Sequence, residues 1–186
     1  LIKKVDNLII VGAMANNFIK FKGNKIGKSL IEPGSEKFIK EIYDTAHKNN
    51  CEIVIPFDFA VSETTDGNAN FKGLKDVADQ DIILDIGPRT IEKIKKIIDV
   101  SKTVLWNGPA GYFENQNFMK GTISIAEKIS SNTRLKSLIS IVGGGDTISA
   151  IKNNDLNLNF THLSTAGGAF LEYIEGKNLP GVEVLK

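Results

Sequence analysis

Apolar residues along this chain fall into two alternating rhythms. Continuous runs of strand length occur at Leu8 to Val11, Glu52 to Ile55, Ile82 to Ile86, Lys102 to Trp106, Leu138 to Val142 and Phe160 to Thr165. Between them apolar positions recur every three or four residues, the spacing of an amphipathic helix. Phe38, Ile39, Ile42 and Ala46 share one face of such a helix, opened by Ser35 as its N-cap. Ile91, Ile94 and Ile98 mark another over Thr90 to Asp99, and Phe118, Ile125, Ala126 and Ile129 a further one. Parallel strands need crossovers, and crossovers cover the sheet. The pattern therefore predicts an α/β fold, a Rossmann-like three-layer parallel sheet with helices on both faces. Ser62 to Gly73 is polar and aperiodic and reads as an exposed excursion, and Leu179-Pro180-Gly181-Val182 as a terminal extension.

In such sheets ligands sit outside the carboxyl ends of the strands. That rule gathers the glycine corners at Gly12, Asn107 to Gly111, Gly143 to Gly145 and Gly167 to Gly168 on one edge. The richest corner is Val142-Gly143-Gly144-Gly145-Asp146-Thr147. Its glycines let backbone N–H groups approach an anion, and the helix that follows adds partial positive charge. Asp146 and Thr147 can then hold a magnesium ion and a phosphate oxygen. A tight strand-to-helix turn capped by Asp146 is the plainer alternative.

Other polar candidates each carry a structural alternative. Asp58, after the proline-ended strand, reads as a turn cap, and His162, between Thr161 and Leu163, as a buried core histidine. Asp85 lies inside a strand, and Glu114 either accepts ribose hydroxyls or opens a helix. Gly23 to Ser29 looks like a nucleoside-triphosphatase phosphate loop but has three residues between its glycines where four are needed, so it is a loop. No G-x-G-x-x-G follows any strand, which counts against a dinucleotide-dependent oxidoreductase. There is no Ser-His-Asp set and no zinc cluster.

Composition narrows the classes further. A net charge of +1 over 186 residues supplies no field for nucleic acid or an anionic membrane. The Lys93 to Lys96 run reads as a solvated helix face. The lone cysteine, Cys51, heads an apolar run and reads as a small buried hydrophobe, consistent with a reducing cytoplasm. No apolar run reaches the length of a membrane span, no leader opens the chain, and a start at Leu1 is expected of a fragment.

Three long motifs in order are more specific than any single glycine run. Trp106 to Glu114 (WNGPAGYFE), Ile141 to Thr147 (IVGGGDT) and His162 to Ala169 (HLSTAGGA) closely resemble phosphoglycerate kinase. Supporting stretches lie at Ile10 to Ala15, Ile26 to Leu30, Pro56 to Asp58, Leu84 to Pro88 and Leu179 to Val182, so the resemblance spans essentially the whole chain. It implies the carboxyl-terminal, nucleotide-binding domain over residues 1–186, incomplete at its start and lacking its first strand. The phosphoglycerate-binding amino-terminal domain would be absent.

The implied reaction is reversible phosphoryl transfer between 1,3-bisphosphoglycerate and ADP, giving 3-phosphoglycerate and ATP in glycolysis with Mg2+, by a monomeric cytoplasmic enzyme. Carried over by resemblance, Asp146 holds the metal, and Thr147 and Asn107 meet the nucleotide phosphates, beside Pro109, Gly111 and Gly143. Glu114 takes the ribose hydroxyls, and Gly12, Ala13, Leu30, Leu84 and Tyr112 border the adenine. Gly144, Gly145, Gly167 and Gly168 offer backbone N–H groups to the phosphoryl in flight. The family usually has glycine where Val11, Ala13 and Ala166 stand, and an aromatic-Met-Gly run where Asp81-Ile82-Ile83 stands, so Ile83 is expected to narrow the base pocket. Without the other domain and the first strand, this polypeptide is expected to bind ADP or ATP weakly, to catalyse nothing, and to aggregate through an open sheet edge. A non-catalytic nucleotide-binding or interaction module of the same fold is the alternative.

Overall fold

The computed structural model describes residues 1–152 and 157–184. In chain order its elements are β1 (Asn7–Ile9), α1 (Gly12–Phe21), α2 (Glu36–Lys48), β2 (Glu52–Val54), β3 (Asp58–Ser62), β4 (Asn70–Gly73) and β5 (Ile82–Ile86). Then follow α3 (Pro88–Val100), β6 (Thr103–Asn107), α4 (Lys120–Arg134), β7 (Ile139–Gly143), α5 (Gly145–Lys152), β8 (His162–Ser164), α6 (Gly167–Glu175) and α7 (Pro180–Glu183).

Two parallel ladders carry the fold. β1 pairs with β2, and β7 lies between β6 and β8. Side chains on a strand alternate between its faces, and β1 shows what covers each. Ile9 and Val11 pack into a core built by Ile91, Ile94 and Ile98 of α3, Ile125 and Ile129 of α4, Trp106 and Val142. Leu8 and Ile10 pack instead with Phe18 and Ile19 of α1, Ile39 of α2, and Phe59 and Val61. Helices therefore cover both faces, the three-layer arrangement expected. Ile91, Ile94 and Ile98 are each at most 3% exposed, so each contributes roughly 1.5–3 kcal/mol of transfer free energy.

The single six-stranded parallel sheet is corrected in one respect. β5 does not join a parallel ladder; it pairs antiparallel with β3, which also pairs antiparallel with β4. β3 begins at Asp58, the expected turn cap after Pro56, and β4 lies inside the expected excursion. β3 is a buried Phe59-Ala60-Val61 run behind a charged first residue, and its register shift between Ala60 and Val61 breaks strict alternation. β4 is exposed enough to look like loop.

Smaller corrections have equally local causes. The buried stripe of α2 centres on Ile39 and Ala46 with Ile42 and Tyr43 packed alongside, which leaves Phe38 67% exposed. Ser35 stands at the N-cap position in helical conformation, and its hydroxyl donates to Asn17 Oδ1 at 3.4 Å rather than capping α2. Phe118 belongs to a 3-10 turn and packs with Ala60 and Leu84. His162 is exposed, on a strand that pairs with β7 alone among the described residues. The terminal extension forms the short helix α7. Cys51 is buried as expected, and burial pushes its thiol pKa up.

Candidate functional site

The register of the second ladder sets Asn107 opposite Gly143, and Gly143 opposite Ser164, so β6, β7 and β8 end in one row. Helices α5 and α6 begin just beyond that row, and α1 begins three residues after β1. A helix N-terminus leaves its first N–H groups without intrahelical partners and carries partial positive charge. The fold thus delivers three such termini to the carboxyl ends of its parallel strands.

The loop after β6 ties these corners together. Gly12 N–H donates to Ala110 O at 3.2 Å, Tyr112 N–H to Leu84 O at 2.6 Å, and Gly108 N–H to Thr147 Oγ1 at 2.7 Å. Ala110 N–H donates to Thr122 Oγ1 at 2.9 Å, and Trp106 Nε1–H to Gly108 O at 2.8 Å. At two glycines the backbone angle disfavours a side chain and the space is tight as well. A Cβ on Gly12 (φ +63°) would meet Pro109 O at 3.1 Å, and one on Gly144 (φ +94°) would meet Asn107 Oδ1 at 3.0 Å. The Asn107 amide therefore lies over the Gly143-Gly144 corner, and the Phe170 ring of α6 packs against Gly143 beside it.

Beneath the loop lies Asp85, 2% exposed. Its Oδ2 accepts Gly121 N–H at 2.7 Å and its Oδ1 accepts Ile86 N–H at 2.8 Å. Gly111 packs against the same carboxyl, where a Cβ would come within 2.5 Å of Oδ1. Burial pushes the Asp85 pKa up to about 7, against the opposing pull of the two N–H donors. This residue supports the loop from inside the protein.

The predicted residues sort by exposure. Gly12, Asn107, Pro109, Gly111, Tyr112, Gly143, Gly144 and Thr147 are joined by the contacts above, with Leu84 as the backbone acceptor for Tyr112. Asp146 is exposed in the first turn of α5. Thr147 is fully buried, its Oγ1 accepting from Gly108, so it holds the loop. Around Gly145, Gly167 and Gly168 an added Cβ would meet nothing within 4 Å, so these glycines stand beside open space. Ala13 and Glu114 are exposed, and Leu30 is 76% exposed. Asp58 proves structural: its carboxylate accepts Arg89 N–H and Thr90 N–H, each at 2.8 Å, and caps α3.

Thr122, which holds the loop through Ala110 N–H, was not legible as a site residue; its only signal was a polar residue inside a helical stretch, which ordinarily means a solvated face. Two shallow grooves lie away from this edge, one of about 520 Å³ between Phe57, Arg89 and Lys96, the other of about 480 Å³ between Lys102, Lys136 and Thr161. The first has Glu92 beside the start of α3 and the second no acidic residue, and neither is lined by a glycine corner, so the chemistry favours the glycine edge.

An open parallel α/β architecture with paired glycine corners on its carboxyl edge defines a class of small-ligand-binding domain. The family within that class is shown by direct comparison. The phosphoglycerate kinase family model matches residues 1–177, and the chain belongs to that family. It is 44% identical to phosphoglycerate kinase of Xanthobacter autotrophicus and 45% identical to that of Wolbachia pipientis wMel, in each case over 100% of this chain and 48% or 47% of the relative. The phosphoglycerate kinase structure from Coxiella burnetii superposes with a TM-score of 0.91 at 38% identity, covering 100% of this chain and 47% of that one. The Pyrococcus horikoshii structure gives 0.82 at 31% identity, covering 97% and 45%. The chain spans about half the length of the relatives it matches.

Proposed function

We propose that this chain is the Mg-nucleotide half of a phosphoglycerate kinase, which moves a phosphoryl group reversibly between 1,3-bisphosphoglycerate and ADP. The observation that carries the reading is the convergence of the Gly12, Asn107, Gly144 and Gly167 corners on one edge, with Asp146 exposed among them. Phosphoryl transfer demands positioning and charge neutralisation more than covalent help from the protein. Backbone N–H groups at Gly144, Gly145, Gly167 and Gly168, backed by the N-termini of α5 and α6, suit that task. Asn107 reaches the phosphates, Thr147 serves from within by holding Gly108 of the loop, and Glu114 takes the ribose. Ala13, Leu30, Leu84 and Tyr112 form the base wall.

The residues present fit magnesium. Among the described residues no group of three or more His, Cys, Asp or Glu forms a protein cage, and Mg2+ ordinarily takes one or two carboxylates and completes its shell with water and nucleotide phosphates. Asp146 is the carboxylate for that arrangement, and the bound ion would neutralise charge on the phosphate oxygens.

The two ladders are read as one sheet with the place of a strand between β1 and β6, since both pack on one core without pairing. That strand and the phosphoglycerate domain lie outside this sequence, in a monomeric, cytoplasmic whole enzyme. Among the described residues no helix is long and apolar enough to cross a membrane. Alone, the chain binds Mg-ADP weakly and turns nothing over. Calorimetric titration with Mg-ADP, paired with a coupled turnover assay, tests this: binding without turnover is expected, and either turnover by the isolated chain or absence of binding overturns it.

A further inference from the structure

Leu30 is 76% exposed and takes almost no support from packing, yet the backbone around it is tied on two sides. Toward β5, Lys28 N–H donates to Asp81 O at 2.7 Å and Ile83 N–H donates to Ser29 Oγ at 2.8 Å. Toward α1, Asn16 Nδ2–H donates to Leu30 O at 3.0 Å. Just beyond, Glu32 N–H donates to Asn17 Oδ1 at 2.8 Å, and the Ser35 hydroxyl donates to the same oxygen at 3.4 Å.

Asn16 is 2% exposed, and its Oδ1 is buried without a hydrogen-bond partner. The amide orientation is fixed by its neighbour: Leu30 O can only accept, so nitrogen must face it. A buried amide oxygen without a partner is costly, and an apolar residue would avoid that cost. What the amide supplies here is the bond to Leu30.

We propose that Asn16 and Asn17 are positioning residues that hold Leu30 in place as a preformed wall of the nucleotide base pocket. The inference rests on the nucleotide reading above and adds two side chains that touch no ligand themselves. Preorganisation of this kind lowers the ordering cost of binding, and it acts on the base rather than on the phosphates.

The test is calorimetry on the chain with Mg-ADP and, separately, with Mg-tripolyphosphate, which lacks a base. Asn16→Leu is expected to raise the Kd for Mg-ADP about 3- to 10-fold, the effect of one lost hydrogen bond, and to leave tripolyphosphate unchanged. Asn17→Ala should move Mg-ADP in the same direction, and it decides the matter by the same two titrations if Asn16→Leu does not fold. Equal weakening of both ligands means general loosening and overturns the clamp. Leu30→Ala separates the two levels of the argument. If it weakens Mg-ADP while Asn16→Leu and Asn17→Ala do not, the clamp is wrong. If it has no effect, or the unaltered chain binds no Mg-ADP, the base-site reading fails and takes the clamp with it.

Discussion

Replacing Asp85 with asparagine removes a buried carboxyl whose charge the fold opposes. Its pKa rises from 3.8 to about 7 on burial, so the folded state holds a proton that the unfolded chain gives up. Stability from this group is fully present below about pH 3.8 and falls as pH rises toward 7. At 1.36 kcal/mol per pKa unit the whole change is about 4 kcal/mol, of which about 2–3 kcal/mol falls between pH 5 and pH 8. Asparagine does not titrate, but it cannot accept from both Gly121 and Ile86, and setting an amide NH2 against one of those donors costs about 1–3 kcal/mol. Asp85→Asn is therefore expected to be less stable than the parent near pH 4 and to reach parity or better by pH 8. Urea unfolding followed by fluorescence of the buried, single Trp106 measures this across the range. Parallel stability-pH profiles for the two proteins would refute the argument, because they would mean Asp85 ionises normally in the folded state.

Other substitutions probe separate parts of the structure. Asp58→Ala leaves Arg89 N–H and Thr90 N–H uncapped at a partly buried helix start and should cost about 2–3 kcal/mol in urea unfolding; a loss under about 0.5 kcal/mol would show that the cap is not structural. Gly27→Ala imposes a φ of +57° on a residue with a Cβ and drives that Cβ into the carbonyls of Asp81 and Ala78, so a loss above about 2 kcal/mol is expected, and an unchanged midpoint would contradict the loop geometry. Asp146→Asn should abolish the magnesium dependence of ADP binding while leaving stability within about 0.5 kcal/mol, since its side chain is exposed; retained magnesium dependence by calorimetry would remove Asp146 as the metal ligand.

Most of the layer plan was legible because burial writes itself as period. The Ile91, Ile94 and Ile98 spacing of α3 and the continuous runs of β1, β6 and β7 correspond directly to packed faces. The antiparallel β4-β3-β5 unit was not legible, since Asp58 and the Ala60/Val61 register shift hide a strand behind turn-like chemistry. At the site, glycine corners were visible because the chain must pass close to itself there, as Gly12 does to Pro109 and Gly144 to Asn107. The roles of Asp85, Thr122 and Thr147 as loop supports were not. A buried carboxylate accepting backbone N–H groups and an exposed one awaiting a ligand are the same letter in a sequence, and only three-dimensional neighbours separate Asp85 from Asp146.

Backbone amide chemical shifts recorded during a Mg-ADP titration place the ligand on the structure without relying on turnover. The nucleotide-edge assignment predicts that perturbations concentrate at Gly12 and Ala13, Leu30, Asn107 to Glu114, and Gly144 to Thr147, leaving the groove at Phe57, Arg89 and Lys96 untouched. Perturbations confined to that groove, or none at saturating magnesium and nucleotide, would contradict it.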